Sequence, residues 1–222
     1  EISLDRATPS AEVEPGLGMV EEGETTHLSV VDSLGNAVSI TTTINSFFGS
    51  KVTVAGGGFL LNNEMDDFSA RPGFPNQYGL VQGEANAIEP GKRMLSAMTP
   101  TIVLDPTGEL LMVVGTPGGA TIITNVFQQI SNVIDFGMSL RQAVNAPRLH
   151  HQHLPDRTQY EPGGLAPQVV AALEAMGHQM EERVRAGDVY PYIGDVQAIL
   201  RLPDGTLAGA SDHRRGGAAV GY

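Results

Sequence analysis

The sequence contains no cysteine and no tryptophan. The first absence excludes disulfide cross-links and thiol chemistry, and it leaves the compartment open. The second, with aromatic residues at only 5%, argues against a β-rich carbohydrate-binding domain. Basic residues are also scarce: 13 Lys and Arg stand against 25 Asp and Glu. The resulting formal charge of −12 argues against nucleic acid or an anionic membrane as partner. No apolar run approaches the roughly 18 residues of a transmembrane helix, and the polar N-terminus is not a signal peptide. The chain begins at Glu1 rather than Met, as a piece of a longer precursor would, so a missing signal says little about export.

What is present fits one globular domain of 222 residues, 41% hydrophobic and long enough to bury a core. The 27 Gly and 14 Pro imply tight turns rather than disorder, because apolar periodicity persists along the chain. The organising stretch is residues 23–48, GETTHLSVVDSLGNAVSITTTINSFF. Leu28 and Val30 alternate with His27, Ser29 and Val31, and Val38, Ile40 and Ile44 alternate with Ser39, Thr41, Thr43 and Asn45. This is the period-two signal of two half-buried strands joined at residues 32–36. If Ser33-Leu34-Gly35 is a three-residue loop with Gly35 left-handed, Val30 faces Val38 and Leu28 faces Ile40. A two-residue loop wastes the apolar pattern. The favoured register sets Thr25 opposite Thr43, with Asn45 beside it on the polar face. Taken alone, such a cluster is also what a solvated hairpin provides, since Thr is common in strands.

Residues 1–24 read as an extended, exposed connector with an acidic end. After the hairpin, Gly56-Gly57-Gly58 suggests close backbone approach or an irregular bend; no Gly-Lys-Ser/Thr follows, so it is not a phosphate loop. Glu64, Asp66 and Asp67 lack the ligand spacing of a known calcium loop and leave a solvated acidic loop or a site as alternatives. Residues 70–90 form a long aperiodic loop around Tyr78, and loops of that length tend to be functional lids or disordered. A second hairpin pairs 101–104 with 110–114. At its end Gly115-Thr116-Pro117-Gly118-Gly119 opens a helix whose Ile122, Ile123, Val126, Phe127, Ile130, Val133 and Ile134 follow the helical period, with Gly137 as a C-cap. Glycines there leave N–H groups to receive developing negative charge, although Gly-Gly before a helix is often only a turn. Short helices are expected over 139–145 and 167–176, and a third hairpin over 196–202 and 207–210. His150, His151 and His153 have no carboxylate or Cys at ligand spacing and read as structural or solvated rather than as metal ligands.

The motifs TTHLSVVDSLGNAVSITTTIN, GGGFLLNNEMDDFS, GKRMLSAMTPTIV and GTPGGATIITNVFQQI, in that order from Thr25 onward, resemble the small subunit of γ-glutamyltranspeptidases. The resemblance implies an α+β N-terminal-nucleophile (Ntn) hydrolase fold, an αββα sandwich completed by a large subunit. Residues 1–24 would be the large-subunit tail and 25–222 the catalytic small subunit, with autocatalytic cleavage between Glu24 and Thr25. It further implies that Thr25 is nucleophile and, through its freed α-amine of pKa near ~8, its own base. Thr43 would orient it, and Gly118 and Gly119 would form the oxyanion hole. Asn45, Glu64 and Asp67 would hold the substrate α-ammonium, Ser96 the α-carboxylate, and Tyr78 would belong to the lid. No metal or cofactor is implied. Implied partners are γ-glutamyl compounds such as glutathione, an acceptor amino acid, peptide or water, and the large subunit, in a periplasmic or extracellular setting.

Ala97 departs from the pattern, since many members carry a second Ser there, and none of the Arg residues falls in a motif that the family uses to clamp the α-carboxylate. Within the same superfamily, a cephalosporin-type acylase or a poly-γ-glutamate-processing enzyme would keep Thr25 and the glycines, although the Glu64, Asp67 and lid pattern argues against the acylase. From a different class, the chain could be an inactive fragment or binding module lacking its large subunit.

Overall fold

The computed structural model of the chain describes residues 6, 25–77, 80–153, 155–184 and 191–221. It divides into two compact units. One is built on β1 (Thr25–Val31), β2 (Ala37–Thr43), β3 (Thr101–Leu104), β4 (Leu110–Gly115), α1 (Thr121–Ile134), α2 (Leu140–Asn145), β8 (Gln197–Arg201) and β9 (Leu207–Ser211). The other takes in Phe48–Ser96 and Pro147–Ile193, with β5 (Leu149–His150), β6 (Thr158–Tyr160), α3 (Pro167–Ala175) and β7 (Met180–Glu182).

In the first unit β1 and β2 pair antiparallel with Thr25 opposite Thr43, Leu28 opposite Ile40 and Val30 opposite Val38, the register that the apolar pattern favours. The turn is fixed by Asp32, whose carboxylate accepts the N–H groups of Leu34 at 2.8 Å and Asn36 at 2.9 Å, while Gly35 turns through φ +85°. Beside the hairpin lies a four-stranded antiparallel sheet in the order β3-β4-β8-β9.

Strand alternation gives β4 two different faces. Met112 and Val114 join Ile122 and Val126 of α1, Leu140 and Val144 of α2, and Val196, Ala198 and Leu200 in one apolar core. On the other face Gly115 meets the ring of His27, and the hydroxyls of Ser39 and Ser29 donate to the carbonyls of Val114 and Gln197, each at 3.1 Å. Helices therefore cover one side of the sheet and the β1–β2 hairpin the other.

The covered face of that hairpin is its polar one. His27 is 6% exposed and Ser29, Ser39 and Thr41 are half-buried, whereas Leu28 is 57% and Val38 50% exposed. Polar burial is tolerated because each inward group finds a partner. Helix α1 also buries more than its apolar period implies. Ile122 and Val126 enter the core, Ile130 and Val133 pack against it, and Thr121, Asn125 and Gln129 form a buried polar stripe; Ile123, Phe127 and Ile134 are exposed. Helix α2 starts at a capping box, Ser139 and Gln142 exchanging side-chain and backbone bonds, and stops before Pro147.

In the second unit β5 pairs antiparallel with β6, and β6 pairs parallel with β7 across α3. Buried Glu161 ties this sheet to the segment before β8, accepting Arg148 N–H at 3.0 Å and Ile193 N–H at 2.8 Å. The glycine triplet is the tip of a small excursion held by Val54 N–H to Phe59 C=O and Leu61 N–H to Val52 C=O, both 2.9 Å. Gly56 and Gly58 have positive φ and open space around them, so the turn conformation, not close approach, is what calls for glycine there.

Candidate active site

The first strand begins at Thr25, whose hydroxyl donates to the Thr43 hydroxyl across the ladder at 3.1 Å. Thr43 Oγ1 in turn accepts the Asn45 backbone N–H at 2.9 Å. Asn45 is buried and left-handed at φ +74°, a conformation Asn tolerates better than other non-glycine residues. Two hydroxyls and an amide are thus gathered at the open end of the hairpin. Two residues along the same face, burial pushes His27 down to a pKa of about 4, so its imidazole is neutral.

In the same unit β4 ends at Gly115 and runs into a loop before α1. The Pro117 carbonyl accepts the Thr116 hydroxyl at 2.7 Å, and the Gly118 carbonyl accepts both the N–H (3.0 Å) and the hydroxyl (2.8 Å) of Thr121. Thr116 Oγ1 also accepts the Asp195 N–H at 2.8 Å, pinning the loop to the residues before β8. Gly118 at φ +139° and Gly119 at φ +51° occupy backbone regions that side chains disfavour. Their carbonyls are committed toward the helix, whereas among the described residues no hydrogen bond takes the N–H of either glycine. Such donors at the positive end of a 14-residue helix can receive an oxyanion.

In the second unit Glu64 and Asp67 lie on one 3-10 turn, Glu64–Asp67. The turn is held by the long loop: the Asn86 side chain donates to the Asp67 carbonyl at 2.7 Å, the Asn76 side chain to the Asp66 carbonyl at 3.2 Å, and the Gln77 backbone N–H to the Asp66 carboxylate at 3.1 Å. Burial first, and then the charge of Asp67, raise Glu64 to a pKa of about 7, while burial raises Asp67 above its ordinary range. Both carboxyls are thus biased toward the protonated form, Glu64 the more clearly, a pair suited to exchanging a proton for a cationic group. Ser96 is exposed in the extended segment leading to β3. Tyr78, Glu24 and the rest of the 1–24 connector except Arg6 lie outside the described residues. The histidines of the 150–153 stretch have partners of their own, His150 with Gln152 at 2.6 Å and His151 with Asp156 at 3.2 Å. Among the described residues no group of three His, Asp or Glu converges as a metal site.

Sequence reasoning missed the supports: His27, Gly115, Thr116, Thr121, Asn76 and Asn86. Only Thr116 and Thr121, flanking the glycines, carried a readable signal, as hydroxyls bracketing a helix start.

The γ-glutamyltranspeptidase family model matches residues 1–222. The chain belongs to the γ-glutamyltranspeptidase family. It is 48% identical over 215 residues to the glutathione hydrolase proenzyme of Escherichia coli, covering 96% of this chain and 36% of that protein. Among solved structures it is similar to a mutant of Helicobacter pylori γ-glutamyltranspeptidase, with 51% identity and a TM-score of 0.78 over 86% of this chain and 100% of that one. It is less similar to the cephalosporin acylase of Bacillus halodurans, at 29% identity, a TM-score of 0.69, and 85% and 32% of the two chains. The fold class is accordingly α+β, of the Ntn hydrolase type. The chain spans a little over a third of the length of the curated relatives it matches first.

Proposed function

We propose that this chain is the catalytic portion of a γ-glutamyl transferase and hydrolase acting on glutathione-type compounds, with Thr25 as nucleophile. The observation that carries this reading is the Thr25–Thr43–Asn45 chain at the start of a strand. Residues 1–24 are read as the tail of the large subunit. In the precursor the Thr25 hydroxyl attacks the Glu24 carbonyl, the acyl group shifts from nitrogen to oxygen, and water releases it. The freed Thr25 amine, with a pKa near ~8 before environmental shifts, then serves as base to its own hydroxyl.

The γ-glutamyl carbonyl is attacked by Thr25 Oγ1, the Gly118 and Gly119 N–H groups take up the charge on the tetrahedral oxygen, and the leaving amine departs protonated. Water or an acceptor amino acid or peptide then removes the acyl group from Thr25. Asn45, Glu64 and Asp67 are assigned the substrate α-ammonium, Ser96 the α-carboxylate, and Tyr78 the lid. No metal or cofactor enters these steps. The acidic pair favours an α-amino substrate over the acylase alternative, because an acyl side chain without an ammonium gives these half-buried carboxylates nothing to neutralise.

The partner is the large subunit of the same precursor. Its support is that the curated relatives are proenzymes, together with the exposed apolar face Leu28, Val30, Val38 and Ile40. A periplasmic or extracellular location follows from the same reading. The test is expression of the full-length precursor with and without Thr25→Ala, read by intact mass and by γ-glutamyl-p-nitroanilide turnover. The native precursor is expected to yield a fragment beginning at Thr25 and to turn over. Thr25→Ala is expected to stay uncut and inactive, and the same two fragments from Thr25→Ala would remove Thr25 from the mechanism.

A further inference from the structure

We propose that His27 is a positioning residue that sets the Thr25 hydroxyl and the Gly118–Gly119 loop in place together, through an imidazole ring seated on Gly115. The proposal rests on the reading of Thr25 as nucleophile. His27 follows Thr25 by two residues on the covered face of β1, and its cross-strand partner Thr41 precedes Thr43 by two on β2. The His27–Thr41 rung is therefore the next same-face rung after Thr25–Thr43. Thr25 and Thr43 are the last rung of the ladder, so whatever fixes the rung behind them fixes their separation.

The proton order in that rung follows from its partners. The Ser29 hydroxyl is spent on the Gln197 carbonyl at 3.1 Å, so Ser29 Oγ, 3.0 Å from His27 Nε2, accepts from the ring. Nδ1 is then the unprotonated nitrogen and accepts the Thr41 hydroxyl at 2.8 Å. Every proton in the line from Thr41 through His27 and Ser29 to Gln197 is committed in one direction. The line crosses from β2 through β1 to β8. The low pKa of the ring, caused by burial, keeps it neutral and preserves this order.

The ring also touches the second half of the site. A Cβ added at Gly115 would lie 2.1 Å from His27 Cε1 and 2.4 Å from Nδ1, so the imidazole occupies the space that a side chain there would need. Gly115 is the last residue of β4, and the oxyanion loop starts at the next residue. One ring thus fixes how closely the nucleophile strand approaches the strand that delivers Gly118 and Gly119. This explains a glycine whose φ is not positive and which no turn requires.

The test uses the full-length precursor carrying His27→Ala, His27→Asn, Gly115→Ala, or His27→Ala with Gly115→Ala, and Thr25→Ala as reference. Autocleavage, kcat and KM with γ-glutamyl-p-nitroanilide, and the melting temperature are measured for each. His27→Ala is expected to lose about tenfold or more in kcat with KM within about threefold, as misplacement of reacting groups does. Gly115→Ala should lose at least as much, and the double variant should return to the His27→Ala level, since the methyl then has the space the ring vacated. His27→Asn, which keeps an acceptor near the Nδ1 position, should retain more kcat than His27→Ala, and it carries the comparison if His27→Ala does not fold. Additive losses in the double variant, or a His27→Ala kcat within about threefold of the native enzyme, would overturn the proposal. So would failure of both His27 variants to fold, which would make the ring a plain core element. Activity surviving in Thr25→Ala would instead reject the nucleophile reading itself.

Discussion

Replacing Thr43 by Val keeps the shape of the side chain and removes an oxygen that accepts two bonds. That oxygen accepts the Thr25 hydroxyl at 3.1 Å and the Asn45 N–H at 2.9 Å. A neutral hydrogen bond contributes about 0.5–1.5 kcal/mol net, and a buried donor deprived of its acceptor costs about 1–3 kcal/mol. Asn45 is buried at φ +74°, so its N–H cannot turn to solvent without leaving a conformation that the bond helps to hold. If about 1.5–3 kcal/mol of this appears in the transition state, Thr43→Val loses about ten- to a hundredfold in kcat/KM. Thr43→Ser, which restores the oxygen, should recover to within about threefold. The assay is p-nitroaniline release from γ-glutamyl-p-nitroanilide by enzyme whose processing has been checked by mass, so that slow cleavage is not mistaken for slow turnover. The kcat loss reports Thr25 and a KM rise reports Asn45. A fully processed Thr43→Val enzyme with native kcat and KM would refute the argument that this rung orients the nucleophile.

Three further outcomes follow from burial. Glu64, raised to about 7, keeps its proton at lower pH, so an α-ammonium substrate should bind more tightly as pH rises through about 7, releasing a proton. KM should fall over that range, and Glu64→Gln should flatten the KM profile while leaving the kcat limb set by the Thr25 amine. The sign for stability is opposite: a carboxyl raised on folding stabilises the folded state fully below its unfolded pKa, near ~4.3, and that contribution is lost as pH rises through about 7. The substrate-free enzyme should therefore melt higher at pH 6 than at pH 8, with the Glu64 share of that difference absent in Glu64→Gln. In the core, Met112 is 1% exposed against α1 and α2, and Met112→Ala should cost about 2–5 kcal/mol by denaturant unfolding. A loss under 1 kcal/mol would show that the sheet–helix layer is not the unit's main core.

The β1–β2 register was legible because only one loop length set Leu28 against Ile40 and Val30 against Val38, and Gly35 supplied the left-handed residue which that loop needs. The β3–β4 and β8–β9 hairpins and the three helices were legible for the same kind of reason, a sustained period closed by a turn or a cap. The β5–β6–β7 sheet was not. Its strands are two or three residues long, too short to display alternation, and β6 pairs in parallel with a strand that α3 separates from it in sequence. The acidic pair could be named from its motif, but not the raised Glu64, which depends on burial by groups distant in sequence.

The hairpin carries the sharpest limit of such reading. Alternation divides a strand into two faces and cannot say which is covered, and here Leu28 and Val38 face outward while His27, Ser29, Ser39 and Thr41 face the sheet. On an apolar covered face, packing is tolerant, and a strand can shift by fractions of an ångström at little cost. On a polar one, each inward group must meet a specific donor or acceptor, so position is set by the Ser39–Val114, Ser29–Gln197 and His27–Thr41 bonds individually. Thr25 lies at the end of that face. Substitutions along it should therefore move the nucleophile, and register in kcat, well before they loosen the Met112–Val126 core that decides whether the unit folds.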